Sequence, residues 1–76
     1  MNQLREVVWF DAFTDATEWT GTDELETKAR QIRSVGYVIP DVIPGYLTLA
    51  QSLDADTDCV GQVIHIPTVC VLEVHE

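Results

Sequence analysis

The stretch GYLTLAQSLDADTDCVGQVIHIPTVCVLEV, residues 45–74, decides the fold of this 76-residue chain. Within it, residues 46–53 alternate small or polar side chains with a mainly leucine set, which is typical of a half-buried strand. GQVIHI at 61–66 and VCVLEVHE at 69–76 are two further strands, separated at Pro67. The aspartate-rich segment between the first two strands therefore forms a hairpin tip, and the link between the last two is very short.

Three aspartates in that tip, Asp54, Asp56 and Asp58, occupy alternate positions, as at the start of a helix-loop-helix calcium site. Such a loop requires a glycine at its sixth position and a bidentate glutamate at its twelfth. Counted from Asp54, these positions hold Cys59 and His65. A charged, solvated hairpin tip is therefore favoured over a weak cation site, and no metal or cofactor is expected.

The first half of the chain contributes two more strands. Residues 4–13 are rich in β-branched and aromatic types and are apolar on both faces of an extended chain. Residues 14–27 follow as a loop, in which Thr22 offers a capping signal for one helical turn. Residues 32–39 again have a strand pattern, and Gly36 within it predicts a bulge or a sharp bend.

Five strands, a bend in the second and a very short link between the last two predict a mainly β fold. We expect a single domain, residues 1–76, built as a small, strongly bent antiparallel sheet closed into a barrel. An α+β fold is the alternative, because residues 22–34 tolerate a helix that would place Leu25 and Ile32 one heptad apart.

The chain is strongly acidic, with thirteen acids, four bases and a formal net charge of −9. A molecule with this charge repels phosphate backbones and anionic membrane surfaces, so neither nucleic acid nor a membrane is an expected partner. The acidity serves solubility or, alternatively, imitates nucleic acid toward a basic partner.

The cysteines and the hydropathy pattern of the sequence indicate the cellular compartment. Cys59 and Cys70 lack the C-x-x-C spacing and are too few for a disulfide scaffold, so we expect both to be reduced. No leader pattern and no run of eighteen apolar residues occurs in the chain. A cytoplasmic protein is therefore expected.

Three of the four bases, Lys28, Arg30 and Arg33, fall within six residues. Arg30, Arg33 and Tyr37 are the first candidates for a ligand site, because a guanidinium binds phosphate bidentately and an aromatic ring stacks on a base. The alternative for the arginines is an ion pair across strands or between subunits.

Two tryptophans and one histidine complete the candidate ligand-binding set. Trp9 and Trp19 are expected to form the floor of a pocket or to anchor a partner, with a place in the core as the alternative. His65 is a lone histidine between two isoleucines, and no Ser/His/Asp or Cys/His arrangement accompanies it. We therefore predict a protein that is not an enzyme and has no catalytic residues.

The order of strand, acidic hairpin, strand, tight link and strand in residues 45–74 resembles the second half of Sm-like barrels, including bacterial RNA chaperones of that class. In those proteins a Lys-His pair before the last strand binds uridine-rich RNA on a ring. His65 falls at the position of that histidine, and Ile64 at that of the lysine. The resemblance implies an Sm-like barrel and, as one functional alternative, an RNA-binding ring.

Over its whole length the chain resembles a set of short, uncharacterised bacteriophage proteins, through VVWFDAF, a tryptophan after a short acidic gap, RSVGYVI, LAQSL and IHIP. This resemblance implies a phage accessory protein that acts by binding in the infected host cell. We expect it to sequester a small anionic, nucleotide-like ligand of host defence. The alternative is an acidic inhibitor of a host enzyme that acts by protein-protein contact.

Self-association is also expected. The first and last strands are apolar on both faces, although a barrel of 76 residues has only one interior. An uncovered apolar face on so small a domain would aggregate, so identical subunits are expected to cover it in a ring or a dimer-based assembly.

Overall fold

The computed structural model describes residues 3–11, 19–25 and 30–76 of the chain. These residues are mainly β, as predicted, with five strands in a single antiparallel sheet. The strands are β1 (Gln3–Asp11), β2 (Arg30–Ile39), β3 (Tyr46–Asp54), β4 (Cys59–Pro67) and β5 (Val71–His75). Two single turns of 3₁₀ helix, Thr22–Glu24 and Thr68–Cys70, precede β2 and β5.

The strands lie in the order β4-β3-β2-β1-β5, so β5 returns to pair with β1 at the far side of the sheet. Within the described residues the sheet is open, with β4 and β5 at its two edges. The five antiparallel strands are confirmed, whereas closure into a barrel stays a prediction.

The alternative of a helix over residues 22–34 is wrong for the described part of that range. The helical portion is limited to Thr22–Glu24, and β2 begins at Arg30. Tertiary pairing overrides local helix tolerance here, because Ile32 lies directly opposite Trp9 in the β1–β2 ladder. The predicted cap at Thr22 is also wrong, since Gly21 occupies the N-cap position without a side-chain hydrogen bond.

The main hydrophobic cluster lies on one face of the sheet. Three buried residues, Val7, Leu49 and Ile66, form its centre. Trp9, Val38, Leu47, Cys70 and Val71 pack against this centre. Val8, whose side chain points to the opposite face from Val7, is only 1% exposed, so β1 is buried on both faces. Cys59 and Cys70 are both free.

The β1–β2 pair and the β3–β4 pair are joined along only part of the sheet and separate over the rest. We call this separation the fork. β1 and β2 pair from Gln3↔Val38 to Asp11↔Arg30, and β3 and β4 pair from Tyr46↔Pro67 to Asp54↔Cys59. In contrast, β2 and β3 pair only over Tyr37–Ile39 and Thr48–Ala50. Gly36 therefore stands where β2 leaves β3. The β1–β2 ladder continues through Gly36 without a register shift, so the bulge or bend predicted at this glycine stays a prediction.

Candidate functional site

The fork opens a cleft of about 390 Å³ between β2 and the β3–β4 hairpin. Four polar residues line it, Arg33 and Ser34 from β2, Gln51 from β3 and Gln62 from β4. The apolar part of the lining consists of Val35, Leu49 and Ile64. The volume is at the lower end of the range of roughly 300 to 1,000 Å³ typical of small-molecule sites.

Arg33 is the basic residue of the cleft lining. Its guanidinium donates to the Glu6 carboxylate, with 3.1 Å between Nη1 and Oε1, and the two side chains are 60% and 36% exposed. The alternative of a cross-strand ion pair is therefore observed for this arginine. Because an exposed pair of this kind contributes little to stability, the guanidinium can exchange Glu6 for an anionic ligand at low cost.

Trp9 supports the cleft from the core side. Its ring packs against the core, and its indole Nε1 donates to Ser34 Oγ across the β1–β2 ladder, at 3.1 Å. Ser34 is thereby held at the cleft wall. Trp9 therefore fixes the Ser34 side chain on the core face, and its predicted place in the core is observed.

The other predicted arginine and the predicted tyrosine lie apart from the cleft lining. Arg30 and Arg33 differ by three positions on one strand, so their side chains point to opposite faces of the sheet. Arg30 lies opposite Asp11 at the start of β2.

Tyr37 lies on the other side of Gly36, paired with Ala50 where β2 and β3 are still joined. Lys28 falls outside the described residues.

Trp19 and His65 also lie away from the cleft lining. Trp19 is fully exposed and precedes the acidic 3₁₀ turn that contains Asp23 and Glu24. His65 points to the face opposite that of its neighbour Ile64, and its Nδ1 lies 2.8 Å from the hydroxyl of the buried Thr48. This hydrogen bond gives His65 a structural partner in the sheet.

The hairpin tip has the geometry of a self-contained turn. Asp54 accepts a hydrogen bond from the backbone N–H of Asp56 at 3.0 Å, and Asp58 has a left-handed backbone with φ of 55°. Hydrogen bonds from the Thr57 side chain and the Asp56 backbone lower the pKa of Asp54 below its ordinary value. In the parts of the chain that the structure describes, no group of three His, Cys, Asp or Glu residues could hold a metal ion.

Sequence reasoning missed Gln51 and Gln62. The alternation of side chains along each strand contains a signal for both residues. In β3, Gln51 is the polar member of a set that otherwise consists of leucines, at positions 47, 49 and 53. In β4, Gln62 is two positions before Ile64 and so belongs to the set that continues with Ile64 and Ile66. A polar residue in a set of side chains that otherwise point toward the core is a candidate for a role other than core packing.

No helix in the described portion of the chain is long and apolar enough to cross a membrane. Comparison with protein-family models, with curated proteins and with solved structures found no match to this chain.

Proposed function

We propose that this chain is a non-enzymatic binding protein that captures a small anionic, nucleotide-like ligand in the cleft at the fork. The observation that carries the proposal is the position of Arg33 in the lining of a cleft of about 390 Å³. A guanidinium beside a cleft suits a ligand with a phosphate, because it binds phosphate bidentately.

The charge distribution supports an anionic ligand at this place in particular. The chain carries a net charge of −9, so an anion is repelled by most of its surface. A second depression, of about 320 Å³, is lined by Asp41 together with Ile43, Pro44, Gly45 and Tyr46, and its carboxylate disfavours anions. The cleft with Arg33 is therefore the better candidate.

Replacement of Arg33 tests the proposal. Calorimetry of the wild-type protein against cyclic mononucleotides, cyclic dinucleotides and ADP-ribose is expected to identify at least one ligand. Arg33→Gln should weaken its binding about tenfold or more, because charge-assisted hydrogen bonds to phosphate are lost. Arg33→Lys should recover part of the affinity, since the charge returns without the bidentate geometry.

Arg5→Gln is the matched control, because Arg5 is a second arginine of the sheet and its guanidinium interacts with Leu4 and Glu76 outside the cleft lining. Its affinity for the ligand should equal that of the wild type. Absence of binding to every compound of the panel, or an equal loss in Arg5→Gln and Arg33→Gln, would contradict the proposal.

We also propose that the protein is a homo-oligomer, formed by an Sm-like barrel in the cytoplasm of an infected cell. The five antiparallel strands and the open edges at β4 and β5 support this assembly. Apolar side chains on or beside those edges are exposed, among them Val60, Val63, Val69, Leu72 and Val74. Contact between identical subunits along edges or outer faces would cover them.

Size exclusion with light scattering is expected to give a mass of at least twice the 8.5 kDa of one chain. A monomer at micromolar concentration would contradict the assembly. It would favour the second function, an acidic inhibitor of a host enzyme, for which the fully exposed Trp19 beside Asp23 and Glu24 provides an aromatic anchor.

An RNA-binding ring has less support, because His65 is engaged with Thr48 and the chain is acidic.

A further inference from the structure

An apolar row crosses the outer face of the sheet, which is the face opposite the main hydrophobic cluster. Tyr37 of β2 pairs with Leu4 of β1 on one side and with Ala50 of β3 on the other. Ala50 in turn pairs with Val63 of β4. Paired residues of neighbouring strands point to the same side of a sheet. Leu49, which is adjacent to Ala50 in β3, belongs to the main cluster, so this row points away from the cluster.

The large side chains of the row are partly or largely exposed. Leu4 is 53% exposed and Val63 40%. Val35, two positions before Tyr37 in β2 and so on the same face, is 56% exposed. An antiparallel sheet with its core on one face normally has polar side chains on the other. We call the exposed apolar set on this face the outer stripe; it consists of Leu4, Val35, Tyr37 and Val63.

The charged residues beside the outer stripe offset one another. Glu6 and Glu73 are the two acids that β1, β2 and β5 place on the outer face. Glu6 forms its ion pair with Arg33 at 3.1 Å, and Oε2 of Glu73 lies 2.7 Å from Nε2 of His75. Arg33 cancels the charge of Glu6, so at most the charge of Glu73 remains. This surface is therefore close to neutral, although the chain carries a net charge of −9.

A nearly neutral apolar face on a strongly acidic chain fits a second copy of the same chain. Two copies with a charge of −9 repel each other, so they approach closely only where the local charge is small. A basic partner would instead be attracted to the acidic hairpin tip or the acidic 3₁₀ turn. Contact between two identical surfaces also requires a surface that is complementary to itself, which an apolar, charge-balanced face provides.

We infer that two copies of the chain associate through their outer faces about a two-fold axis, with the outer stripe at the centre of the contact. This inference rests on the proposed homo-oligomer and names the surface that forms it. The contact uses a face of the sheet and leaves the edges at β4 and β5 free. Because a two-fold contact joins chains in pairs, the assembly should contain an even number of chains.

Val35→Glu tests the inference. Val35 is more than half exposed, so its replacement leaves the core intact. The two-fold axis would bring the new carboxylates of both copies into one apolar contact. The dissociation constant of the assembly, measured by sedimentation equilibrium, should therefore rise about tenfold or more.

Val35→Thr is the second variant, because it keeps the shape of valine and adds a hydroxyl group to the contact. It should raise the dissociation constant by a smaller factor than Val35→Glu. Circular dichroism shows whether each variant is folded. If Val35→Glu does not fold, Val35→Thr decides the test, and wild-type association of that variant would contradict the inference.

Val74→Glu and Val60→Glu are the matched controls, one on each edge strand of the sheet. Both valines have an exposure comparable to that of Val35, 47% and 43%. Both controls add the same charge to the chain. Val74 pairs with Val7 and so lies on the face of the main cluster. Each control should associate as the wild type does.

The outcomes distinguish the inference from the proposed assembly. A monomeric wild-type protein would contradict both. An odd number of chains, or dissociation by an edge variant while both Val35 variants stay associated, would leave the proposed assembly standing and contradict the contact between outer faces. Equal weakening by all three glutamate variants would attribute the effect to added charge alone and would also contradict the inference.

Discussion

Gly36→Ala is expected to destabilise the protein by about 1–3 kcal/mol, because the added methyl group would overlap the backbone at the fork. A Cβ at this position would lie 2.6 Å from the carbonyl oxygen of Ala50 and 2.9 Å from Cγ of Leu49. The carbonyl oxygen of Ala50 belongs to the backbone of the neighbouring strand. The overlap can therefore be removed only if β2 and β3 move apart where they are paired. Urea unfolding monitored by circular dichroism measures the change.

Gly61→Ala is the matched control for this prediction. Gly61 is also a glycine within a strand, but the atom nearest to an added Cβ is Cβ of Ser52 at 3.9 Å, an ordinary contact. Alanine is favoured over glycine in a strand by about 0.5–1 kcal/mol, so this variant should be as stable as the wild type or slightly more stable. Equal stability of the two alanine variants would show that the close approach at Gly36 does not constrain the sheet.

Ile66→Ala is expected to have the largest effect on stability, about 2–5 kcal/mol. Ile66 is fully buried and packs with Val7 and Leu49, so truncation leaves a cavity at the centre of the core. In a domain of 76 residues a loss of this size is a large fraction of the total free energy of unfolding. Each 1 kcal/mol lowers the Tm of a domain of this length by about 4–8 °C.

Ile64→Ala provides the comparison, because Ile64 is the same residue type on the same face of the same strand and is 38% exposed. Its truncation removes less buried surface and should cost about 1 kcal/mol. Thermal unfolding of both variants at one fixed protein concentration measures the difference, because the Tm of any chain that associates with itself depends on concentration. A smaller loss for Ile66→Ala than for Ile64→Ala would contradict the position of the core.

The candidate site was only partly predictable. Arg33 was predicted from the clustering of bases, and it lines the cleft, but its neighbour in that cluster, Arg30, points to the other face because side chains alternate along a strand. Residues Gln51 and Gln62 carried a weak signal, as polar members of inward-facing sets. Nothing in either strand alone indicates that these two residues line one cleft with residues of β2.

The sequence by itself determined the strands. Side-chain direction in a strand has a period of two, so alternation over a few residues predicted β3 and β4, and the two-sided apolar pattern of the first strand matches the burial of both Val7 and Val8. The sequence predicted a strand over residues 32–39, with a helix over 22–34 as the alternative. Only the tertiary structure decided that this strand begins at Arg30 and that β2 leaves β3 at Gly36. The physical reason is that a cleft between Arg33 and Gln62 depends on contacts between strands distant along the chain, whereas a local pattern reports only the conformation of its own segment.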